Sequence, residues 1–340
     1  MKKTGIVILL SCVATLALGG LILWRLWPAR LKTPDFVFYY ADNQTADYPT
    51  TLGGERFAEL VYERTDGRIK ILIKSDGQLG QEIDVLKQMQ YGGIAFARVS
   101  ISQLAELIPD MNVLQLPYLY DGAEHMWSVL DGEIGEDFLG RTTAYDLVGL
   151  SWYDAGARNF YSANKPITRI EDFAGMKIRV QDSDMMSDMV AALGATAVKL
   201  NYSDVYSHLE RGLVDGAENN WPSYESMRHY EVAKYYTVDE HTRVPEMQIC
   251  SKEVWDQLSE SDREIIRECA KESAGYEREL WREREAYSRK IALEHGVTVT
   301  ELSAEERNRF RQALEGTYVK YCEPYMDIVR KIIETGRQGH

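Results

Sequence analysis

The 340-residue sequence lacks the short motifs that mark common catalytic and nucleotide-binding sites. It has no G-x-S-x-G nucleophile motif, no Walker phosphate loop, no G-x-G-x-x-G dinucleotide motif and no H-E-x-x-H zinc motif. No two residues stand out as the positioned acid and base that a lyase or hydrolase would need. We therefore expect that the protein is not an enzyme and has no cofactor.

Residues that bind metals are also scarce. The six histidines show no metal-ligand spacing. Two acidic groups could in principle hold a metal, residues 239–241 (Asp-Glu-His) and the set Asp182, Asp184 and Asp188. We interpret the first as a solvated loop. We interpret the second as acidic residues at a helix N-terminus, where the helix dipole favours them. No metal site is predicted.

Cysteine is rare as well, with four in the chain. They form no C-x-x-C pair, so the sequence indicates neither a zinc site nor a disulfide framework. Cys12 lies in an apolar segment. A single bridge from Cys269 to either Cys250 or Cys322 stays open.

Basic residues are outnumbered by acidic ones, 39 to 53, and the net charge is −14. The first 34 residues hold five basic and no acidic residues, so the remainder is more acidic still. A chain this acidic lacks the positive surface with which proteins bind nucleic acid. We therefore expect no nucleic-acid partner.

One long uncharged run is present, from Gly5 to Trp24. Its length of about 20 residues is enough to span a bilayer. Residues 21–27 offer no good Ala-x-Ala cleavage site. We expect residues 1–34 to be an N-terminal membrane anchor, with a cleaved signal, or lipid attachment at Cys12, as alternatives. Either way the rest of the chain is expected to be extracytoplasmic.

After this segment, strand and helix patterns alternate, which predicts an α/β fold with mostly parallel sheets. The alternation stops at one long predicted strand, residues 145–162, and starts again from residue 163. The chain therefore contains two α/β halves. The predicted strands are 35–42, 68–74, 94–100, 145–162, 176–180, 196–200 and 214–220, and the predicted helices include 54–67, 81–93, 182–194, 202–212 and 223–234.

Two segments connect the halves, residues 145–162 and residues 243–251. This connection predicts a two-lobed clamshell that closes around a small molecule. A charged helix from Ser261 to about Glu294 is expected to brace both lobes. We assign residues 35–155 plus 245–284 to lobe 1 and residues 156–244 plus 285–335 to lobe 2.

Arginines and amides at the predicted strand ends are the candidate ligand-binding residues. Arg179 interrupts the apolar run "MKIRV", and Arg98 interrupts "IAFARVS". A buried guanidinium must meet a negative group, and its fork of donors matches a carboxylate. That group is either a carboxylate of the protein or a ligand. The neighbouring aromatic residues either fill the core or cover a sugar-like ligand; they are Trp152, Tyr153, Tyr202, Trp221 and Tyr224.

At these residues the sequence resembles the solute receptors of tripartite ATP-independent periplasmic (TRAP) transporters. The resemblance covers roughly residues 35–335, and the order and spacing of its motifs are specific. It implies an α/β, two-lobed periplasmic-binding-protein-like fold. The matching stretches are "SDGQLGQEIDVLKQMQYGGIAFA", "LPYLYDGAEHMWSVLDGEIG", "ITRIEDFAGMKIRV", "YSDVYSHLERGLVDGAENNWPSYES" and "VWDQLSESDREII".

The resemblance implies a role for each matched position. Arg179 corresponds to the arginine that makes the main salt bridge with a ligand carboxylate, and Arg158 corresponds to a second arginine. Asn219 matches the amide after D-G-x-E, Tyr202 matches an aromatic residue before "SDVY", and Asn43 lies in a matching polar loop. The implied partners are a small organic acid and the small and large integral membrane subunits of the transporter.

The residues around the site also bear on the identity of the ligand. Arg98 holds a position that is acidic in sialic acid receptors, which counts against sialic acid. A further cation, together with Asn219, Asn220 and Trp221, indicates a smaller hydroxylated acid, and the sequence around them is similar to receptors for glucuronate or galacturonate. C4-dicarboxylates such as succinate or malate stay open, as does a role as an anchored sensor ectodomain.

Overall fold

The computed structural model describes residues 33–338. Its strands are β1 (Phe36–Ala41), β2 (Ile69–Lys74), β3 (Phe96–Ser100), β4 (Leu147–Tyr153), β5 (Ala157–Ser162), β6 (Lys177–Val180), β7 (Thr196–Lys199), β8 (Gly216–Asn219), β9 (Tyr235–Arg243), β10 (Glu246–Ser251) and β11 (Thr298–Glu301). Its α-helices are α1 (Pro49–Arg64), α2 (Glu82–Gln90), α3 (Ile101–Leu104), α4 (Ala123–Leu130), α5 (Glu133–Arg141), α6 (Asp184–Ala192), α7 (Val205–Glu210), α8 (Trp221–Ser226), α9 (Lys252–Gln257), α10 (Glu260–Glu294), α11 (Ala304–Cys322) and α12 (Met326–Gln338).

The strands form two sheets, as the two predicted halves require. The first sheet has the order β2-β1-β3-β10-β4, and the second has the order β11-β9-β5-β8-β6-β7. The prediction of mostly parallel sheets was wrong in part. β10 runs antiparallel to both of its neighbours, and so does β5. These antiparallel strands adjoin the crossings between sheets, where the chain reverses direction.

The stretch predicted as one strand over 145–162 is two strands in different sheets. The chain turns at Gly156, whose φ of +58° lies in the left-handed region that favours glycine. Asp154 holds the turn, because its Oδ1 accepts a hydrogen bond of 2.8 Å from the backbone N–H of Gly156. The apolar pattern continues through this turn, so the pattern alone did not show the break.

The second predicted crossing, near residues 243–251, is confirmed. β9 belongs to the second sheet, β10 belongs to the first, and Val244 and Pro245 join them. The carbonyl of Pro245 accepts a hydrogen bond of 3.2 Å from the backbone N–H of Ile101. This bond ties the crossing to the end of β3.

The long predicted helix is confirmed as α10, which has 35 residues and packs on α1 and β4 and also on α8. Arg284 of α10 pairs with Asp47, which precedes α1, at 3.0 Å and with Glu225 of α8 at 2.8 Å. Glu277 of α10 accepts a 2.8 Å hydrogen bond from the backbone N–H of Asp154, at the first crossing. The helix therefore braces both sheets and one of the strands that join them.

The helix predicted over 223–234 is shorter than expected. α8 ends at Ser226, and a 3-10 turn at His229–Glu231 follows. Arg228, with φ of +56°, breaks the helix between the two. The C-terminal helices α11 and α12 were not predicted; α11 packs on α6, and α12 packs on α4.

Nearly all of the predicted N-terminal anchor or signal lies outside the described residues. Across residues 33–338, none of the helices is both long and apolar enough to cross a membrane. Cys250, Cys269 and Cys322 are buried free thiols.

Candidate functional site

A cavity of about 220 Å³ opens between strands of the two sheets. β3 and β10 line it from the first sheet, and β5, β6 and β8 line it from the second. Its volume is just below the usual range of about 300–1,000 Å³ for ligand cavities, so it suits a small molecule. Seven of the eight predicted ligand-binding residues line it: Asn43, Arg98, Arg158, Arg179, Tyr202, Asn219 and Asn220.

Strand register brings the residues of the second sheet together. Arg179 of β6 pairs with Ala217 of β8, two residues before Asn219. Asn159 of β5 pairs with Asn219, which places Arg158 next to it. The three site residues therefore come from three neighbouring strands, although they are up to 61 residues apart in the chain.

Arg179 is buried, and none of residues 33–338 gives it an anionic partner. Its Nε and Nη2 donate hydrogen bonds of 3.1 and 2.8 Å to the carbonyl of Leu200. Its Nη1 is buried and has no hydrogen-bond acceptor among the residues described. Burial lowers the pKa of Arg179, which means that the surroundings do not fully compensate its charge. The free Nη1 is the donor that a ligand carboxylate can meet.

Arg158 differs because the protein supplies its carboxylate. Its Nη2 donates a 2.8 Å hydrogen bond to Oε1 of Glu218, and its Nε donates to the other oxygen of the same group. Burial alone would raise the pKa of Glu218, but Arg158 and His241 outweigh burial and lower the pKa to about 2. Glu218 is therefore ionised, and Arg158 has less charge to offer to a ligand than Arg179 has.

The residues 239–241 were predicted to form a solvated loop, and this was wrong. They lie within β9, and both Asp239 and His241 are fully buried. Nδ1 of His241 is 2.8 Å from Oδ2 of Asp239, and its Nε2 is 3.5 Å from Oε2 of Glu218. Burial opposes protonation, but these carboxylates raise the pKa of His241 to about 9. The group is a buried ion network behind Arg158.

The two asparagines have different surroundings. Oδ1 of Asn219 accepts hydrogen bonds of 3.0 Å from Nη1 of Arg158 and of 2.9 Å from the backbone N–H of Asn220. With its oxygen occupied, Asn219 presents its amide N–H groups as the free donors. Asn220 instead caps α8, since its Oδ1 accepts from the backbone N–H of Ser223 and its Nδ2 donates to Ala155. Its contribution to the cavity is mainly structural.

Arg98 forms the opposite wall and is fully compensated. It donates to Asp42 and Asn43, lies 2.5 Å from Glu82, and lies 2.6 Å from Glu246. Burial alone would lower the pKa of Arg98, but the carboxylates raise it well above its usual range. Arg98 lines the cavity, but its charge is already neutralised there.

Glu82 and Glu246 line the cavity and were not among the predicted residues. Burial raises the pKa of Glu82 and raises that of Glu246 to about 7, even though Arg98 opposes both shifts. A signal was present for Glu246, because it interrupts the apolar stretch "VPEMQIC" as Arg179 interrupts its own strand.

Trp221 is the predicted residue that the fold keeps away from the cavity. Its ring stacks on Tyr236 with centroids 3.6 Å apart, inside the core of the second sheet. The other aromatic residues considered, Trp152, Tyr153 and Tyr224, are also buried outside the cavity lining, where only Tyr202 is found. The packing interpretation therefore holds for all but Tyr202.

The three aspartates between residues 182 and 188 form ion pairs with lysines. Lys199 lies 3.1 Å from Asp182 and 2.7 Å from Asp184, and Lys320 pairs with Asp188. Within residues 33–338, no group of three metal-ligating side chains converges.

Two α/β lobes, a polar cavity between them and a buried guanidinium with a free donor define a solute-binding receptor. The chain belongs to the DctP family, described as "bacterial extracellular solute-binding protein, family 7", whose model matches residues 40–324. The predicted resemblance is thereby confirmed. The family consists of solute receptors rather than enzymes, which agrees with the absence of catalytic motifs.

Known relatives differ in their ligands. The C4-dicarboxylate-binding periplasmic protein DctP of Rhodobacter capsulatus is 30% identical over 82% of this chain and 84% of its own. A TRAP periplasmic solute-binding protein from Bradyrhizobium sp. BTAi1, solved with α/β-D-galacturonate, is 38% identical, with a TM-score of 0.85 over 87% of this chain and 99% of its own. One from Chromohalobacter salexigens, solved with D-glucuronate, is 33% identical, with a TM-score of 0.84 over 88% and 99%.

Proposed function

We propose that this receptor binds a sugar acid of the hexuronate class, such as D-galacturonate or D-glucuronate, and delivers it to the membrane subunits of a TRAP transporter. The observation that carries the proposal is the free Nη1 of Arg179 in a cavity of about 220 Å³. Support for the ligand class comes from the two similar structures that hold uronates.

In this proposal the ligand carboxylate meets Arg179, with Arg158 beside it. Asn219 donates to a hydroxyl or to the carboxylate, and Tyr202 contacts an apolar face of the sugar. Asn43, from the other lobe, offers a polar contact. Closure of the lobes removes water and strengthens the charged hydrogen bonds.

The predicted division into lobes remains part of the proposal. Strands of the first sheet come from residues 36–153 and 246–251, and strands of the second come from 157–243 and 298–301, which supports it. The receptor is extracytoplasmic, as is its family. That residues 1–34 anchor the receptor, or are removed from it, stays a prediction. The small and large membrane subunits stay predicted partners.

A C4-dicarboxylate is the second candidate ligand, because the Rhodobacter capsulatus relative carries that name. It would use the same arginine anchor and place its second carboxylate elsewhere in the cavity.

Isothermal titration of the purified protein tests the assignment. The titrants are D-galacturonate, D-glucuronate, succinate, malate and sialic acid, and the key variant is Arg179→Ala. We expect uronate binding in the wild-type protein and its loss in the variant, since truncating one partner of a buried charged pair costs about 2–5 kcal/mol or more. Lys177→Ala, an exposed change in the same strand, is the matched control.

Binding of uronates that survives Arg179→Ala would refute the anchor. Binding of succinate or malate alone would keep the anchor and replace the ligand class.

A further inference from the structure

The cavity is lined by opposite charges on its two sides. The second sheet contributes Arg179 and Arg158, and the first sheet contributes Glu82 and Glu246 beside Arg98. A ligand with its carboxylate on Arg179 must therefore present its other end toward a wall that is rich in carboxylates.

That wall has more negative groups than cations. Arg98 faces Asp42, Glu82 and Glu246 together. Asp42 is fully occupied, because its two oxygens also accept from the backbone N–H of Gln44 and from the hydroxyls of two threonines of α1. It does not line the cavity. Glu82 and Glu246 do, so they are the carboxylates of this wall that a ligand can contact.

Both glutamates keep acceptor capacity that the protein does not use. Oε1 of Glu82 accepts from Arg98 and from the backbone N–H of Ser100, while its Oε2 has no donor among the described residues. Oε2 of Glu246 lies 2.6 Å from Nη1 of Arg98 but lacks the alignment of a hydrogen bond, and it is buried. Carboxylate oxygens each accept about two hydrogen bonds.

We infer that Glu82 and Glu246 determine which acids this receptor accepts, by binding ligand hydroxyl groups and repelling a second carboxylate. The inference rests on the proposed anchoring at Arg179 and deepens it. A hydroxyl can donate to either glutamate, whereas a second carboxylate offers only acceptors and a like charge. The receptor therefore selects hydroxylated monoacids against diacids of similar length, and it does so largely by an unfavourable contact.

Other charges at the cavity do not reverse this effect. Lys87 lies at the rim and is exposed, and Asp84 and Asp182 at the same rim are exposed too. Water and salt screen these groups, whereas the glutamates are buried. The buried glutamates therefore dominate the discrimination, most fully above about pH 7, where Glu246 is ionised.

Galactarate is the test ligand, because it is an open-chain diacid with the hydroxyl pattern of galacturonate. D-galactonate is the control, since it is also open-chain but ends in a hydroxymethyl group. In the wild-type protein we expect galactarate to bind at least about tenfold more weakly than D-galacturonate, and more weakly than galactonate. In Glu246→Gln and in Glu82→Gln, binding of D-galacturonate should weaken. The ratio of the Kd for galactarate to the Kd for D-galacturonate should fall by about tenfold.

Each glutamine variant keeps the shape of the side chain and leaves Arg98 with two carboxylates. Thermal unfolding verifies that each variant is folded. Equal affinity for galactarate and D-galacturonate in the wild-type protein would overturn the inference. It would also be overturned if the ratio of the Kd for galactarate to the Kd for D-galacturonate were the same in both variants as in the wild-type protein. If Arg179→Ala abolishes binding while the ratio stays unchanged, the anchor stands and only the role of the glutamates is refuted. If Arg179→Ala has no effect, the proposed function itself fails.

Discussion

Arg98 and Arg179 are alike in burial, each 2% exposed, and each lies in a strand that borders the cavity. Arg98 has three carboxylates against its guanidinium. Arg179 has a single backbone carbonyl, and no carboxylate of residues 33–338 forms an ion pair with it. Burial alone therefore does not mark a ligand-binding arginine. The mark is a buried charge that the protein leaves without its counter-ion.

The largest expected effect separates the two arginines by stability. Arg98→Met should lower the free energy of unfolding by about 3–5 kcal/mol, because it leaves buried carboxylates uncompensated. Arg179→Met should cost at least about 2 kcal/mol less than this, because loss of the hydrogen bonds to Leu200 is offset by removal of an unpaired charge. Urea unfolding without ligand measures both. Equal losses would show that burial rather than pairing sets the cost.

The next largest effect is on how much a bound ligand stabilises the protein against unfolding. A ligand at 100 times its Kd should stabilise the wild-type protein by about 2.7 kcal/mol. Arg179→Met should lose this response, while the exposed change Lys177→Met should keep it. Thermal unfolding with and without D-galacturonate measures the difference. A full response in Arg179→Met would place the anchor elsewhere.

A third test compares the acidic residues that face the arginines. The pKa of Glu218 is about 2, below the ordinary value, so its contribution to stability is present above the ordinary pKa and is lost as pH falls toward 2. The pKa of Glu246 is about 7, above the ordinary value, so its contribution is present at low pH and is lost as pH rises through 7.

Unfolding free energies from pH 3 to pH 8 should therefore change slope in opposite directions in two variants. Glu218→Gln should reduce the loss of unfolding free energy that the wild-type protein shows as pH falls below about 4.5. Glu246→Gln should reduce the loss of unfolding free energy that it shows as pH rises from about 4.5 to 7. Each reduction should be on the order of 2 kcal/mol. Parallel profiles in the two variants would mean that the two walls have the same electrostatic character.

The smallest effect belongs to an ion pair outside the cavity. Arg284 joins Asp47 and Glu225 across the two lobes, yet it remains partly exposed. Arg284→Met should cost about 1 kcal/mol or less, compared with almost nothing for the more exposed Arg289→Met. Urea unfolding of the pair measures this, and a loss as large as that of Arg98→Met would contradict the dominance of burial.

Most elements, and most of the residues that line the cavity among the candidates, could be predicted from the sequence, for a reason that particular residues show. Arg179 breaks an apolar strand pattern, and a guanidinium in such a place needs an anion wherever the strand ends up. The break at Gly156 could not be predicted, because a left-handed turn inside an apolar run leaves the hydrophobic pattern unchanged. Trp221 was misplaced because an aromatic ring near a site packs equally well on either side of a sheet.

The local pattern by itself determined the two α/β halves, the long helix and the arginines and asparagine that the cavity gathers. Only the tertiary structure decided which arginine is free. Glu218 lies 60 residues from Arg158, and Glu246 lies on a strand that crosses back from the other lobe to reach Arg98. Charge compensation depends on distances of a few ångströms between residues far apart in the chain, and those distances exist only after folding.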